Sequence, residues 1–370
     1  MKKIAFVFDR VAHYHQELFR TLESRFAEQA IELHLFSGQT TAGSKGRIGL
    51  ERQIVAREQK YQFREYQVGS YVFRRHIGVI EEIKLLKPDV VVLLSHVGNL
   101  SHWQLMGLKE KLGFKLMAWQ CGYEYNPGRL KQALLRRFIP KFDHHFAYHS
   151  NARRYALSHG ARDDQVTVIH NTINEERIAC LPKEEARALL LARHPEIGNR
   201  RILLFVGAVL AEKRVETILA AMDELKRKDI VLLLVGNGDH LPVIRAACAE
   251  RDDVVITGAI VEGVGPYFDA AEMYLLPGTG GLGINEAMAH SLPIVSGYAD
   301  GSADDLVIDG VSGFRLQEGS ASEMAGKITQ ILDTPGMSES MGARSRELIT
   351  GRFAFREFIA RINNKLVEFA

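Results

Sequence analysis

The stretch MYLLPGTGGLGINEAMAHSLPIVSG, residues 273–297, is the most informative in the chain. It opens with a short continuous apolar run, the pattern of a strand buried on both faces. The run ends at Pro277, and Gly278, Gly280, Gly281 and Gly283 crowd the turn that follows. Glu286 then begins a helix with Ala287, Met288 and Ala289, and a second apolar run, Pro293–Val295, comes after it. So many glycines at a strand-to-helix junction leave backbone N–H groups exposed at a helix N-terminus, which suits an anionic or hydroxyl-rich ligand. Glu286 itself has two readings. Its carboxylate can accept paired hydrogen bonds from two ribose hydroxyls, or it is a first-turn acid that complements the helix dipole.

Outward from this segment the same alternation of buried strand and amphipathic helix recurs in two blocks. The second block opens after a polar, helix-like stretch at 175–198 and offers RILLFVG, IVLLLVG, DVVITG, MYLLPG and PIVSG, ending near residue 297. Its first helix places Val215, Ile218, Leu219, Met222 and Leu225 at the spacing of one buried face. The first block offers strands at 4–8, 31–37, 89–95, 114–120, 144–149 and 166–171. At 370 residues the chain suits two cores. The spacing predicts an α/β protein with a parallel sheet in each half and ligands beyond the carboxyl ends of the strands, in a cleft between the halves. Residues 38–60, rich in Gly, Thr, Gln, Lys and Arg, read as a mobile loop.

Composition narrows the class. A net charge of +2 gives no field for nucleic acid, and 46% hydrophobic residues imply an ordinary core. Three scattered cysteines form no C-x-x-C pair, and no apolar run is long enough to span a bilayer, so a cytoplasmic protein is expected. The segment RLKQALLRRFIPK, residues 129–141, carries five cations and no acid among its leucines. It reads either as a helix resting on an anionic membrane surface or as a surface helix burying its leucines in the core.

Two further turns have glycine chemistry. In FVGAVLAEKRVETILAA, residues 205–221, Gly207 follows a strand and Lys213 starts a helix. The glycine lets backbone N–H groups approach a phosphate and the lysine adds a full charge, or the segment is a plain βα turn with a solvated lysine. In LLVGNGDH, residues 233–240, Gly236 and Gly238 either leave room for a nucleoside or pack the next helix closely. In the first half, His96 lies just past a strand end, and Asp9, His13, His15, His102, Glu124 and Tyr125 are also placed in post-strand loops, with structural or acceptor-contacting roles. No D-x-D triplet and no His/Asp/Glu cluster with metal spacing is present, so no metal and no cofactor is expected.

Five motifs in this order resemble the retaining, GT-B-fold glycosyltransferases of family four, group 1, of the polysaccharide and lipid-linked glycan assembly kind. They are Gly207 with Lys213, Val235–Gly238, Pro277 through Met288, Pro293–Val295 and Asp309–Phe314. The resemblance implies two Rossmann-like domains: an acceptor domain over 1–175, a donor domain over 176–350, and a helix over 351–370 that returns to the first domain. It also implies transfer of a sugar from a nucleoside-diphosphate sugar, a UDP-sugar in our reading, to a glycan or lipid-linked saccharide. Lys213 would contact the diphosphate, Glu286 the ribose, His96 the transferred sugar, and Gly280, Gly281, Leu282 and Gly283 the phosphates or sugar through backbone amides. Gly207, Gly236 and Gly238 would complete the nucleotide site, and the leaving diphosphate would assist deprotonation of the acceptor without a metal. Two positions depart from the pattern: Ala208 stands where an arginine is usual, and Gly278 where a first glutamate is usual. They leave open the reading of a catalytically weak nucleotide-sugar-binding subunit, and the similar two-domain fold of non-hydrolysing UDP-sugar epimerases leaves that reading open too.

Overall fold

The computed structural model describes residues 1–9, 11–12, 14–38, 53–69, 71–122, 128–260, 262–297 and 301–370. The chain divides into two compact units, one of residues 1–170 with 356–370 and one of residues 171–355. The expected boundaries were 175 and 350.

In the first unit the strands are β1 (Lys2–Phe8), β2 (Ile31–Gly38), β3 (Glu58–Tyr61), β4 (Phe63–Val68), β5 (Tyr71–His76), β6 (Val90–Leu94), β7 (Lys115–Gln120), β8 (His144–Ala147) and β9 (Val166–Val168). Seven of them form a parallel sheet in the order β3-β2-β1-β6-β7-β8-β9, while β4 and β5 pair as an antiparallel hairpin. Helices α1 (His15–Glu28), α2 (Val79–Leu86), α3 (Leu100–Leu112) and α4 (Arg129–Phe138) run between strands. The core strands are apolar on both faces, as in Ile4–Phe8 and Val90–Leu93, all fully buried, because helices cover the sheet. Strands β3 to β5 escape the sequence pattern: β4 and β5 are mostly exposed, polar and aromatic. The reading of 38–60 as one loop is corrected at both ends, since Gly38 closes β2 and Glu58–Lys60 belong to β3; residues 39–52 lie outside the described residues.

Helix Phe355–Phe369 belongs to this unit from residue 356 onward. Its apolar stripe is seated against the sheet: the Phe358 ring lies 6.2 Å from Trp119 and the Phe369 ring 5.7 Å from His144. The returning helix is therefore part of the first core.

The second unit holds β10 (Arg201–Val206), β11 (Ile230–Val235), β12 (Val254–Gly258), β13 (Met273–Leu276), β14 (Ile294–Ser296) and β15 (Gly313–Arg315), all parallel, in the order β12-β11-β10-β13-β14-β15. Strand β15 extends the sheet beyond the expected limit near 297, where only a turn was read over Asp309–Phe314. Its three residues are too few to show a pattern. Helix Val215–Leu225 buries Val215, Ile218, Leu219 and Met222 as their spacing requires.

Candidate functional site

In the second sheet, β10 and β13 are neighbours with β11 and β14 on their outer sides, so the chain leaves them in opposite directions. Such a switch point opens a crevice at the carboxyl edge of the sheet. The two segments that drew attention in the sequence, 207–214 and 277–283, are the loops that leave these two strands.

Hydrogen bonds join the loops into one structure. Thr279 N–H donates to the Glu212 carbonyl at 2.9 Å, and Lys213 Nζ donates to the carbonyls of Thr279 at 2.5 Å and Gly280 at 3.5 Å. Lys213 lies in a turn at Ala211–Lys213, two residues before the helix that begins at Val215, and Arg214 between them is in a left-handed conformation, φ 54°. The Arg214 guanidinium donates to the Gly319 carbonyl at 3.0 Å. From β13, Tyr274 Oη donates to the Val206 carbonyl at 2.9 Å, which ties the end of β10 to the same crevice.

Gly278 explains the departure from the family pattern. A Cβ at this position would lie 2.1 Å from the Glu212 carbonyl oxygen and 2.6 Å from Lys213 Cα. No side chain fits there while the lysine turn keeps its place, so the backbone contact that positions Lys213 excludes a glutamate. At Gly236 a Cβ would fall 1.8 Å from the Gly207 carbonyl, and at Gly238 2.3 Å from the Val209 carbonyl. Close approach of neighbouring loops gives these glycines a packing role, which differs from the close helix packing read from sequence. A Cβ at Gly283 would meet Tyr274 Oη at 2.5 Å, whereas one at Gly281 would meet nothing within 4 Å. Gly281 is the N-cap of helix Leu282–Ala289, with Leu282 as its first residue, so the open space faces the helix mouth.

Glu286 is the fifth residue of that helix, and the first turn carries no acid. Its reading as a first-turn partner of the dipole is thereby corrected: the dipole effect fades within the first turn. Burial raises the Glu286 pKa, only partly offset by His290, and its charge in turn raises that of Tyr274, itself raised mainly by burial. Among the described residues the Glu286 carboxylate makes no hydrogen bond. A part-buried acceptor left in this condition favours a ligand that brings donors.

The corresponding switch point of the first sheet lies between β1 and β6. His96 stands two residues past β6, half-buried, with Gly98 folded against its ring: a Cβ there would lie 3.0 Å from His96 Cε1. Beside it is a network that sequence reasoning missed. Asp9, directly after β1, receives His76 Nε2 at 2.7 Å, Asn99 Nδ2 at 3.3 Å, Arg74 at 3.4 Å and Tyr61 Oη at 3.5 Å. Burial alone would raise its pKa, but the His76 hydrogen bond and the neighbouring charges hold the carboxyl well below the usual range. These groups come from separate segments, so no spacing in the chain announces them. His102 is corrected from a loop residue to a fully buried member of α3, pushed down to about 3 by burial and so neutral at pH 7. His15 likewise opens α1, buried, with Nδ1 accepting from Ala12 N–H at 3.2 Å. His13, Glu124 and Tyr125 lie outside the described residues.

Folding also gathers two groups that could hold a cation, Asp9 with His76 and His102, and Cys180 with Asp269 and His290; in each the ligand atoms lie within 4.8 Å of one another. Both carboxylates are already bonded, Asp269 to His290 Nδ1 at 2.6 Å and to Leu181 N–H at 2.9 Å. Helix α4 buries Leu135 and Phe138 in the core and leaves Leu130 exposed, so most of its apolar stripe serves the fold. No helix among the described residues is long and apolar enough to cross a membrane.

Comparison with known proteins fits this geometry. Residues 17–177 match the family described as Glycosyltransferase Family 4, and residues 200–334 match Glycosyl transferases group 1. The alpha-D-kanosaminyltransferase of Streptomyces kanamyceticus is 30% identical over 179 residues, 46% of each chain. A GDP-mannose-dependent alpha-(1-6)-phosphatidylinositol monomannoside mannosyltransferase of Mycobacterium tuberculosis is 26% identical over 197 residues, 49% of this chain and 51% of that one. The chain thus spans about half the length of these curated relatives. Among solved structures, Anabaena HepE in complex with UDP superposes with a TM-score of 0.77 at 14% identity, and the lipopolysaccharide outer core galactosyltransferase WaaB with 0.72 at 15%, each over 100% of both chains. The fold is GT-B, two Rossmann-like domains with parallel sheets. The chain belongs to the family-four, group 1 glycosyltransferases.

Proposed function

We propose that this chain is a retaining glycosyltransferase that moves a sugar from a UDP-sugar to a glycan or lipid-linked saccharide. The observation that carries the reading is the junction of Lys213 with the glycine turn that opens the Glu286 helix, at the switch point of the second sheet. A cation, a helix mouth and an unbonded carboxylate within one crevice suit a nucleoside diphosphate. Lys213 and the amides at Gly280–Gly283 hold the diphosphate, and Glu286 holds the ribose. The UDP choice is supported by HepE, solved with UDP and with UDP-glucose. His96 is assigned a hydrogen bond to the transferred sugar on the family resemblance.

In this reading the developing charge on the leaving diphosphate is stabilised by Lys213 and the exposed amides, and that electrostatic term is the main source of rate. The diphosphate then takes the acceptor's proton on the face it departs from, which retains configuration and needs no metal. Contact with an anionic membrane surface through 129–141 would rest on the cations and Leu130, since the other leucines serve the core. The test is turnover of UDP-, GDP- and ADP-sugars with a glycan panel, with anomeric configuration read by NMR. Acceptor-dependent UDP release with retention is expected. Tight UDP binding without transfer to any acceptor would leave only a binding subunit, and UDP-sugar epimerisation without acceptor would replace the reading altogether.

A further inference from the structure

The hairpin β4–β5 presents two unlike faces. In its register Glu65 stands opposite Arg74, and Arg64 opposite Arg75. The first pair is matched: Arg74 Nε donates to Glu65 at 2.7 Å. The second pair sets two guanidinium groups directly across from one another, an arrangement that costs stability unless an anion lies between or beside them. Among the described residues neither guanidinium makes a hydrogen bond or ion pair.

Both arginines line a groove of about 690 Å³ closed on the other side by α2 and α3. Lys84 of α2 lines it too, its ammonium again without a hydrogen bond or ion pair among the described residues, and Glu81 is the one acid of the lining. Tyr66 lies two residues from Arg64 on the same face of β4 and is 42% exposed, an aromatic platform at the groove wall. Gln104 and Glu81 offer groups that bond hydroxyls, and Ile77, Ile80 and Leu108 supply apolar surface. Volumes of this order suit a discrete small molecule. Three solvent-exposed cations without a protein partner among the described residues, against one carboxylate, leave an excess of about two positive charges, the complement of a phosphate ester.

We propose that this groove binds a phosphate-bearing saccharide, with Arg64, Arg75 and Lys84 on the phosphate and Tyr66 against a sugar face. A bilayer headgroup would offer the same phosphate, but the recess between hairpin and helices is concave and holds sugar-binding groups within it. The inference concerns the first unit alone and does not depend on the donor reading.

Calorimetry on the full chain with glucose 1-phosphate, inorganic phosphate and glucose tests it, with phosphatidylglycerol vesicles as a further arm. Glucose 1-phosphate is expected to bind more tightly than inorganic phosphate or glucose. Arg64→Gln and Arg75→Gln should each weaken it at least about tenfold, Tyr66→Ala should remove its advantage over inorganic phosphate, and Lys213→Ala should leave it unchanged. Without ligand, the two arginine variants should melt at or above the wild-type temperature, because a like-charge pair has been relieved; loss of stability would mark the arginines as structural. Binding insensitive to the arginine variants, absence of binding by either phosphate compound, inorganic phosphate as good as the sugar phosphate, or capture by vesicles alone would each overturn the proposal.

Discussion

Two carboxylates stand at the switch points of the two sheets, and they have opposite fates. Asp9, 4% exposed, is surrounded by His76, Asn99, Arg74 and Tyr61, and its pKa is held low. Glu286 is partly buried without a hydrogen bond among the described residues, and its pKa is raised. The first carboxylate finds its hydrogen-bond donors within the protein. The second has no such donors among the described residues, which is what the proposed ribose contact would supply. Equivalent topology thus produces a carboxylate ringed by protein donors in one unit and one without them in the other, and the local supply of donors makes the difference.

The contrast breaks most readily at Lys213. Lys213→Ala should weaken UDP binding by about 3 kcal/mol, more than a hundredfold, because a part-buried charge partner is lost; calorimetry that finds unchanged affinity removes the lysine from the site. Asp9→Asn should destabilise the first unit by about 3 kcal/mol, since Arg74 loses its buried partner and His76 a carboxylate acceptor, while UDP affinity holds; a denaturant midpoint equal to wild type would show the network to be idle. The sign of its pH dependence follows from the lowered pKa: the Asp9 contribution is present above the ordinary carboxyl range, about pH 4, and fades as pH falls through the lower native value.

Gly278→Ala should cost about 2 kcal/mol by overpacking against the 212–213 backbone and weaken UDP binding together with stability. A stable variant with full affinity would contradict the close contact described here. The smallest effect is expected for Glu286→Gln. A raised carboxyl pKa means that native stability is full below the ordinary carboxyl range and is lost as pH rises through the native value. The glutamine variant should therefore melt higher than wild type at pH 7, with the gap closing near pH 4, and bind UDP about tenfold more weakly. If it melts lower at pH 7, the carboxylate has protein partners and the comparison with Asp9 fails.

The order of buried strands and amphipathic helices was legible because strands covered on both faces are continuously apolar, so β1, β6, β10 and β11 announce themselves. The hairpin β4–β5 was not, since a ribbon with polar, exposed residues has no such signature. In the same way Gly207, Lys213 and the Gly278–Gly283 cluster were readable as turn chemistry, but His76 and Asn99 were not, because their meaning depends on a carboxylate more than sixty residues away. The glycines at 236, 238 and 278 were visible as glycines, and the reason for them lay in a neighbouring loop.

Sequence alone determined the α/β class, the two-sheet organisation and the order of the motifs, for these follow from local periodicity and turn residues. Only the tertiary structure decided which loops meet, why Gly278 admits no glutamate, that Glu286 lies beyond the first turn of its helix, and that Arg64 faces Arg75. Apart from the place of Glu286, which depends on where its helix starts, those are contacts between residues apart along the chain, and a linear pattern carries no record of the distance at which two of its parts will pack.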